Sequence, residues 1–418
     1  MDFIEELNLE GDVYLVGGIV RDRIYNIIYD SQKKPKDYDI VITKMKIDRI
    51  YDILLKHGHV KKVGIKFSIL SFYSSSLDIT FDIATPRTEI STGPKYKDFI
   101  IKTSELVTLE EDCIRRDASI NSLALQIYKI DDLFKEDVSI LENVKDYIGG
   151  IDAIKNKLWK AIVPFERFQE DATRILRGIR QCSQLDFELE DETMKSMIIN
   201  FDMINEILKE SSSRVTNEIV RTLISFRSDK WINFLVEIDK NSILSLQSTD
   251  LKYADEQNYE SWIKLPLIIK GNPIKWIKKY NLNACPNFPV EYSKFVEHVE
   301  KAYNIFQTNP RLGISYIKDK DNKTDDYTKM FLKYILLKDS SKRNSTFISE
   351  YMDNINVPKN VNAIMINGKY LMEKYNIYGK EINNIKIKVY YEIINNKLKN
   401  DESNIKEYLK TFMQPSLP

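Results

Sequence analysis

The chain reads as an α+β protein: its strand signals sit in the first third, and beyond Arg180 the pattern is helical. Two strand signals carry the first half of that reading. In Tyr38-Asp39-Ile40-Val41-Ile42 and in Leu77-Asp78-Ile79-Thr80-Phe81-Asp82-Ile83, apolar residues recur with period two. From residue 170 onward apolar positions recur instead at helical spacing. At 418 residues the chain exceeds one ordinary core, so two to four domains are expected.

Taken in order, Leu15-Val16-Gly17-Gly18-Ile19-Val20-Arg21-Asp22 is an apolar run ending in two glycines and passing into a helix-like segment. A strand, a tight turn and a helix start are expected. Gly17 and Gly18 would let the backbone approach a ligand, its free amides suit phosphate, and Arg21 adds a fixed cation. An ordinary strand-to-helix turn has the same residues.

In the next strand, side chains at i and i+2 point to one face, so Asp37 and Asp39 set two hard carboxylates side by side, where a divalent cation can be held. A solvated strand edge is the plain alternative. Residues 46–59 read as a packing helix ending at Gly58, and Asp82 falls on the polar face of its strand, where a third carboxylate could join the pair.

From Ser91 to Thr108, weak periodicity around Gly93 and Pro94 predicts a mobile loop. A helix is expected from Thr108, carrying Arg115-Arg116-Asp117 and then Asn121. Such a cluster serves either as an exposed ion-pair group or, beside a phosphate site, as a guanidinium with polar partners for a ribose.

One further helix is expected over residues 170–180, with Ala172, Ile175, Leu176 and Ile179 on one arc and Arg174, Arg177 and Arg180 on the other. Asp171, one turn before Arg174, could join it in meeting the Watson–Crick edge of a base. A helix with acids in its first turn and bases later has the same spacing. Ser211-Ser212-Ser213 is a cap signal before another helix, on which Arg214 and Glu218 are i,i+4 neighbours.

Composition limits the alternatives. No apolar run is long enough to span a bilayer and the start is acidic, so a cytoplasmic protein without a membrane partner is expected. Cys113, Cys182 and Cys285 lie far apart without a Cys-x-x-Cys, which excludes a zinc knuckle and argues against a disulfide framework. His57, His59 and His298 are too few and scattered for a zinc hydrolase site. Net charge is zero, yet residues 251–418 hold about 27 basic against 19 acidic side chains, so a basic C-terminal part could follow a phosphate backbone.

In this order the segments resemble the class II tRNA nucleotidyltransferase and bacterial poly(A) polymerase family over roughly residues 12–225. The resemblance rests on Leu15-Val16-Gly17-Gly18-x-Val20-Arg21-Asp22, Asp37-x-Asp39, Arg115-Arg116-Asp117-x-x-Ile120-Asn121, Gly149-Gly150-x-Asp152 and Glu170-Asp171-x-x-Arg174-x-x-Arg177. It implies a small mixed β-sheet nucleotidyltransferase head over residues 1–145, then an all-α neck (146–228), body (229–330) and tail (331–418) that binds RNA.

By the same resemblance Asp37 and Asp39 would bind magnesium, with Asp82 as the third catalytic carboxylate. Gly17, Gly18, Arg21, Arg116, Asp117 and Asn121 would hold triphosphate and ribose. Asp171 and Arg174 would serve as an amino-acid template for CTP or ATP, supported by Arg177 and Arg180. The implied activity is CCA addition to the tRNA 3′ acceptor end. Poly(A), A-only or CC-only addition and a non-catalytic RNA-binding relative are the alternatives. Pro86-Arg87-Thr88-Glu89, Thr92-Gly93 and the single basic residue in Val63-Gly64-Ile65-Lys66-Phe67 favour CCA addition. Ala118-Ser119 and Ala172-Thr173 depart from the family's usual residues without removing a catalytic group.

Overall fold

Seven strands form one mixed sheet in the order β3-β4-β5-β2-β1-β8-β9, in which β2 and β5 are parallel and the other neighbours antiparallel. They are β1 (Asp12–Val16), β2 (Tyr38–Thr43), β3 (His59–Val63), β4 (Ile69–Ser74), β5 (Ile79–Ala84), β8 (Ala124–Gln126) and β9 (Val144–Lys145). The structure, a computed structural model, describes residues 1–35, 37–63, 69–91, 99–103, 106–280, 282, 292–320, 326–339, 358–395 and 397–413. The chain divides into two units, Met1–Leu244 and Ser245–Pro418.

Period-two alternation explains the sheet. Ile40, Ile42, Phe72, Phe81 and Ile83 are buried, and Phe3 of α1 (Phe3–Asn8) meets Phe72 and Phe81 edge-on at 5.0 and 5.3 Å between centroids. On the opposite face Tyr14, Val16, Val41 and Ala124 pack with Leu109 and Cys113 of α4 (Leu109–Ile114). Asp39 lies two residues before Val41 and so shares the α4 face. Because β1 runs antiparallel to both β2 and β8, its C-terminal end lies beside the start of each. The glycine turn, the paired aspartates and the segment leading into β8 therefore meet at one end of the sheet.

Several expected elements differ. The packing helix α3 spans Ile47–Leu54 and stops short of Gly58, where a Cβ would stand 2.3 Å from the Tyr73 carbonyl oxygen, a gap only glycine fits. The expected loop from Ser91 contains a strand: β7 (Phe99–Thr103) pairs antiparallel with β6 (Arg87–Ser91) in a separate two-stranded ladder. Gly93 and Pro94, and the Gly64-to-Phe67 signal, fall outside the described residues, as does Cys285.

Arg115-Arg116-Asp117 is not on a helix. The capping box of Thr108 and Glu111 starts α4, which ends at Ile114 with Arg115 as its C-cap, and Asn121 sits in a single 3-10 turn, Ser119–Asn121. The expected single helix over 170–180 is also two. α6 (Pro164–Glu170) stops because Asp171 is extended (φ −151, ψ 101), and α7 (Thr173–Leu185) begins two residues later.

α7 packs against α9 (Ile204–Leu223) and α10 (Ser228–Ile238) and meets β10 (Leu158–Trp159), which pairs in parallel with β11 (Glu188–Leu189); α5 (Gly150–Lys155) lies against β10, and α8 (Asp191–Asn200) against α6. At Ser211, the first of the three serines, α9 departs from helical geometry (φ −156, ψ 79). The second unit is helical among its described residues apart from a bridge between Leu246 and Ile269, with a core near the C-terminus around Leu371, Val389, Ile393, Ile405 and Leu409. Among the described residues no helix is long and apolar enough to cross a membrane.

Candidate active site

Parallel pairing of β2 with β5 sets Asp39 directly across from Asp82. Asp37, exposed, lies one residue before β2 begins and so outside the strand expected to carry it, and its charge still acts on Asp39. Burial raises the pKa of Asp39; the Arg116 guanidinium pulls it back down, and the Asp82 and Asp37 carboxylates push it up again. This is a negatively charged strand edge with one facing cation. Among the described residues no three His, Cys, Asp or Glu side chains stand close enough to enclose a metal ion. The aspartates form an open row of hard oxygen donors, which fits an ion such as magnesium that keeps its waters and substrate oxygens and takes only one or two protein carboxylates.

The glycine turn borders this row. Gly17 has φ +76, and a Cβ there would lie 3.1 Å from Arg116 Nη1 and 3.7 Å from Asp39 Oδ2, so the backbone runs close against both. α2 (Gly18–Tyr29) starts at the turn and carries Arg21 in its first turn. Arg21 donates Nε to Asp22 at 2.8 Å and Nη1 to Asn121 Oδ1 at 2.8 Å.

Arg116 is steered by Asp112, to which the sequence reading gave no role in the site. Asp112 is 1% exposed and accepts from Arg115 Nη2 at 2.7 Å and Arg116 Nη2 at 3.0 Å. Burial alone would raise its pKa, but the two guanidiniums hold it below the usual carboxylate range. Its place on α4, three and four residues before the two arginines, was the available signal. The Nε of Arg116 is buried without a hydrogen-bond partner, an unsatisfied donor suited to an anionic ligand.

Asp117 and Asn121 are buried and joined: Asn121 Nδ2 donates to Asp117 Oδ1 at 2.9 Å, and Asp117 Oδ2 accepts from the exposed Arg177 at 3.2 Å. Arg177 and the Asn121 amide hold Asp117 below its ordinary pKa although burial opposes them. The Asp171 carboxylate is not bonded to the Arg174 guanidinium; the two residues meet through the Arg174 amide, which donates to the Asp171 carbonyl at 3.0 Å. The Asp171 carboxylate accepts from Thr173 N at 3.0 Å, Thr173 Oγ1 at 2.6 Å and Arg214 Nη2 at 2.7 Å, while Arg174 Nη1 donates to Glu170 at 2.9 Å. Glu170 also takes both bonds of Arg167 Nη1.

Arg180 is not exposed as Arg177 is. It is 7% exposed and bonded to Glu218 of α9, so Arg214 and Glu218, instead of pairing with each other, each reach back to the α6–α7 region. Their partners lie some 40 residues away in sequence, and no local spacing reveals them.

Residues 13–160 match the Poly A polymerase head domain. The chain is 25% identical to the CCA-adding enzyme of Streptococcus suis strain 05ZYH33, covering 99% of this chain and 96% of that protein. It is 33% identical to the CCA-adding enzyme of Enterococcus faecalis over 53% of this chain and 48% of the relative. Among solved structures, the Bacillus stearothermophilus CCA-adding enzyme in complex with CTP has a TM-score of 0.65 at 17% identity, covering 98% of this chain and 95% of that one. The Thermotoga maritima CCA-adding enzyme complexed with tRNA has a TM-score of 0.66 at 20% identity, with 98% and 93% covered. Those structural likenesses concern the fold.

Proposed function

The chain belongs to the class II tRNA nucleotidyltransferase and poly(A) polymerase family, and on that premise we propose that it adds C, C and A to the 3′ end of tRNA from CTP and ATP, without a nucleic-acid template, releasing pyrophosphate. The observation that carries the proposal is the register of Asp39 with Asp82 beside the Gly17 turn and Arg116. It joins carboxylates to a phosphate cradle at one end of a sheet, which is what phosphoryl transfer by positioning and electrostatics requires. The likeness of nearly the whole chain to CCA-adding enzymes supports C, C and A over adenylate alone.

In this reading Asp37 and Asp39 hold magnesium, with Asp82 beside them. Magnesium held there would supply the positive charge that favours loss of the RNA 3′-hydroxyl proton and offsets the charge of the pyrophosphate leaving group. The chain's own groups do the rest. Amides at the Gly17–Gly18 turn and the Arg21 and Arg116 guanidiniums receive the triphosphate, and Asp117 and Asn121 receive the ribose. Asp171 accepts from the exocyclic amino group shared by C and A while Arg174 donates to the neighbouring ring acceptor; Arg177 is the exposed cation beside them, and Arg180 supports that helix from behind.

To reach a base, Arg174 exchanges its bond to Glu170 for one to the nucleotide, and Asp171 keeps Arg214 as its anchor. The parts correspond to a head (1–145), neck (146–228), body (229–330) and RNA-binding tail (331–418), working on tRNA in the cytoplasm. The test is purified protein with tRNA lacking its 3′ end and labelled nucleotides supplied singly and together. Two cytidines from CTP, then one adenosine when ATP is present, are expected. A lengthening run of adenosines from ATP alone would replace this reading with poly(A) addition, and no incorporation of any nucleotide with magnesium would end it.

A further inference from the structure

One buried chain of amides joins the phosphate side of the site to α7, and its orientation is fixed by a residue that touches no substrate. Gln181 Oε1 accepts two hydrogen bonds, from Trp159 Nε1 at 2.8 Å and from Asn121 Nδ2 at 2.9 Å. Trp159 is fully buried, and Gln181 and Asn121 are 7% and 8% exposed. The second Nδ2 hydrogen of Asn121 goes to Asp117, and its Oδ1 accepts from Arg21. Asp117 in turn holds Arg177, one helical turn before Gln181 on α7.

The direction of every amide in this chain follows from its neighbours' chemistry. An indole N–H only donates, so Gln181 must turn its carbonyl oxygen toward Trp159. That oxygen and the ionised Asp117 are both acceptors, so Asn121 must turn its NH2 toward them and its oxygen toward Arg21, a pure donor. Reversing the Asn121 amide would set its NH2 against a guanidinium and its oxygen against two acceptors. Gly178 lets Trp159 lie this close: a Cβ there would stand 2.9 Å from the indole Cη2.

We propose that Gln181, oriented by Trp159, is a positioning residue for nucleotide binding: it sets the Asn121 amide so that Arg21 on α2 and Arg177 on α7 are held at the two ends of one hydrogen-bonded path. This rests on the reading of the site as a nucleotide site but not on the transfer reaction. Since the path runs through Arg21, Asn121 and Asp117, which receive triphosphate and ribose, and includes neither Asp171 nor Arg174, its loss affects CTP and ATP alike and leaves base choice alone.

The test uses the full chain with magnesium. CTP, ATP and UTP dissociation constants are measured without RNA for wild type, Gln181→Met, which keeps length and loses the acceptor, and Trp159→Phe, which keeps an aromatic against Gly178 and loses the donor. Folded fraction is checked by thermal unfolding. Gln181→Met is expected to weaken both nucleotides about tenfold, with Trp159→Phe shifting both the same way by less, and with the CTP-to-UTP preference unchanged. In turnover the rise should appear in KM more than in kcat. Wild-type affinity in a folded Gln181→Met protein overturns the proposal, and so does loss of affinity for one nucleotide only. Should Gln181→Met fail to fold, Trp159→Phe decides by the same measure. Wild-type protein that binds nucleotides yet transfers none would refute the proposed function and leave this inference to the affinities.

Discussion

The Asp39 carboxylate is held largely out of water between Arg116 and Asp82, and burial raises its pKa. A carboxyl whose folded pKa is raised contributes stability that is present at low pH and lost as pH rises through that pKa, so at neutral pH the ionised wild type carries a cost. Asp39→Asn removes that charge and is expected to raise stability by about 0.5–2 kcal/mol at pH 7 while abolishing incorporation. Thermal unfolding in chelator checks the first, and magnesium should raise the melting temperature of wild type more than that of the variant. A variant melting below wild type at pH 7 would contradict the sign. Asp112 behaves oppositely. Its pKa is held low by Arg115 and Arg116, so its contribution is present above its ordinary value and lost as pH falls through the folded one. Asp112→Ala leaves two poorly solvated guanidiniums without that partner and is expected to cost about 3–5 kcal/mol, read as a loss of denaturant midpoint. At the base-reading position, Asp171→Ala should relax discrimination against UTP by about ten- to a hundred-fold. It should also cost about 1–2 kcal/mol, because the same carboxylate caps α7 through Thr173 and holds Arg214. An unchanged CTP-to-UTP ratio would remove Asp171 from the template.

At the scale of elements, the site depends on where helices stop. α4 ends one residue before Arg115 and α6 ends one before Asp171, so Arg116 and Asp171 project from breaks, while Arg21, Arg174 and Arg177 project from α2 and α7. α7 is held from behind by Arg180 on Glu218 and from the side by Trp159 against Gly178. Gly178→Ala therefore tests the element. Its Cβ would lie 2.6 Å from Met197 Cε as well as against the indole, and a cost of about 1–3 kcal/mol is expected from overpacking. Chemical denaturation measures it, and a variant as stable as wild type would mean that Met197 and Trp159 yield freely. The ladder of β6 with β7 stands outside the seven-stranded sheet as a separate two-stranded pair.

Over the whole molecule charge is divided, with about eight net positive charges after residue 250 balanced upstream. The second unit begins at Ser245, and its helices Tyr292–Thr308, Pro310–Lys320 and Asp326–Lys338 are consecutive packed elements, so a cut near residue 330 would fall within a helix. A truncation after Leu244 is the cleaner test. It is expected to weaken tRNA binding and flatten the dependence of log K on log salt, because phosphate contacts release counterions, while CTP affinity stays near wild type. An unchanged salt slope in the folded truncation would separate the basic surplus from RNA binding.

The sequence by itself determined the class of fold, the two acidic strands and the glycine turn, because period two and tight turns are local properties that neighbouring residues dictate. The polar faces of Asp39 and Asp82 were legible for the same reason, whereas Asp37 falls just outside β2. Tertiary structure alone decided which strands are neighbours, and hence that Asp82 stands across from Asp39. It also decided that Arg180 is buried on Glu218, that Asp171 belongs to Arg214, and that Gln181 and Trp159 govern Asn121. Each of those pairs joins residues at least 22 positions apart, where spacing carries no information and partners are chosen by which faces the packed core brings together.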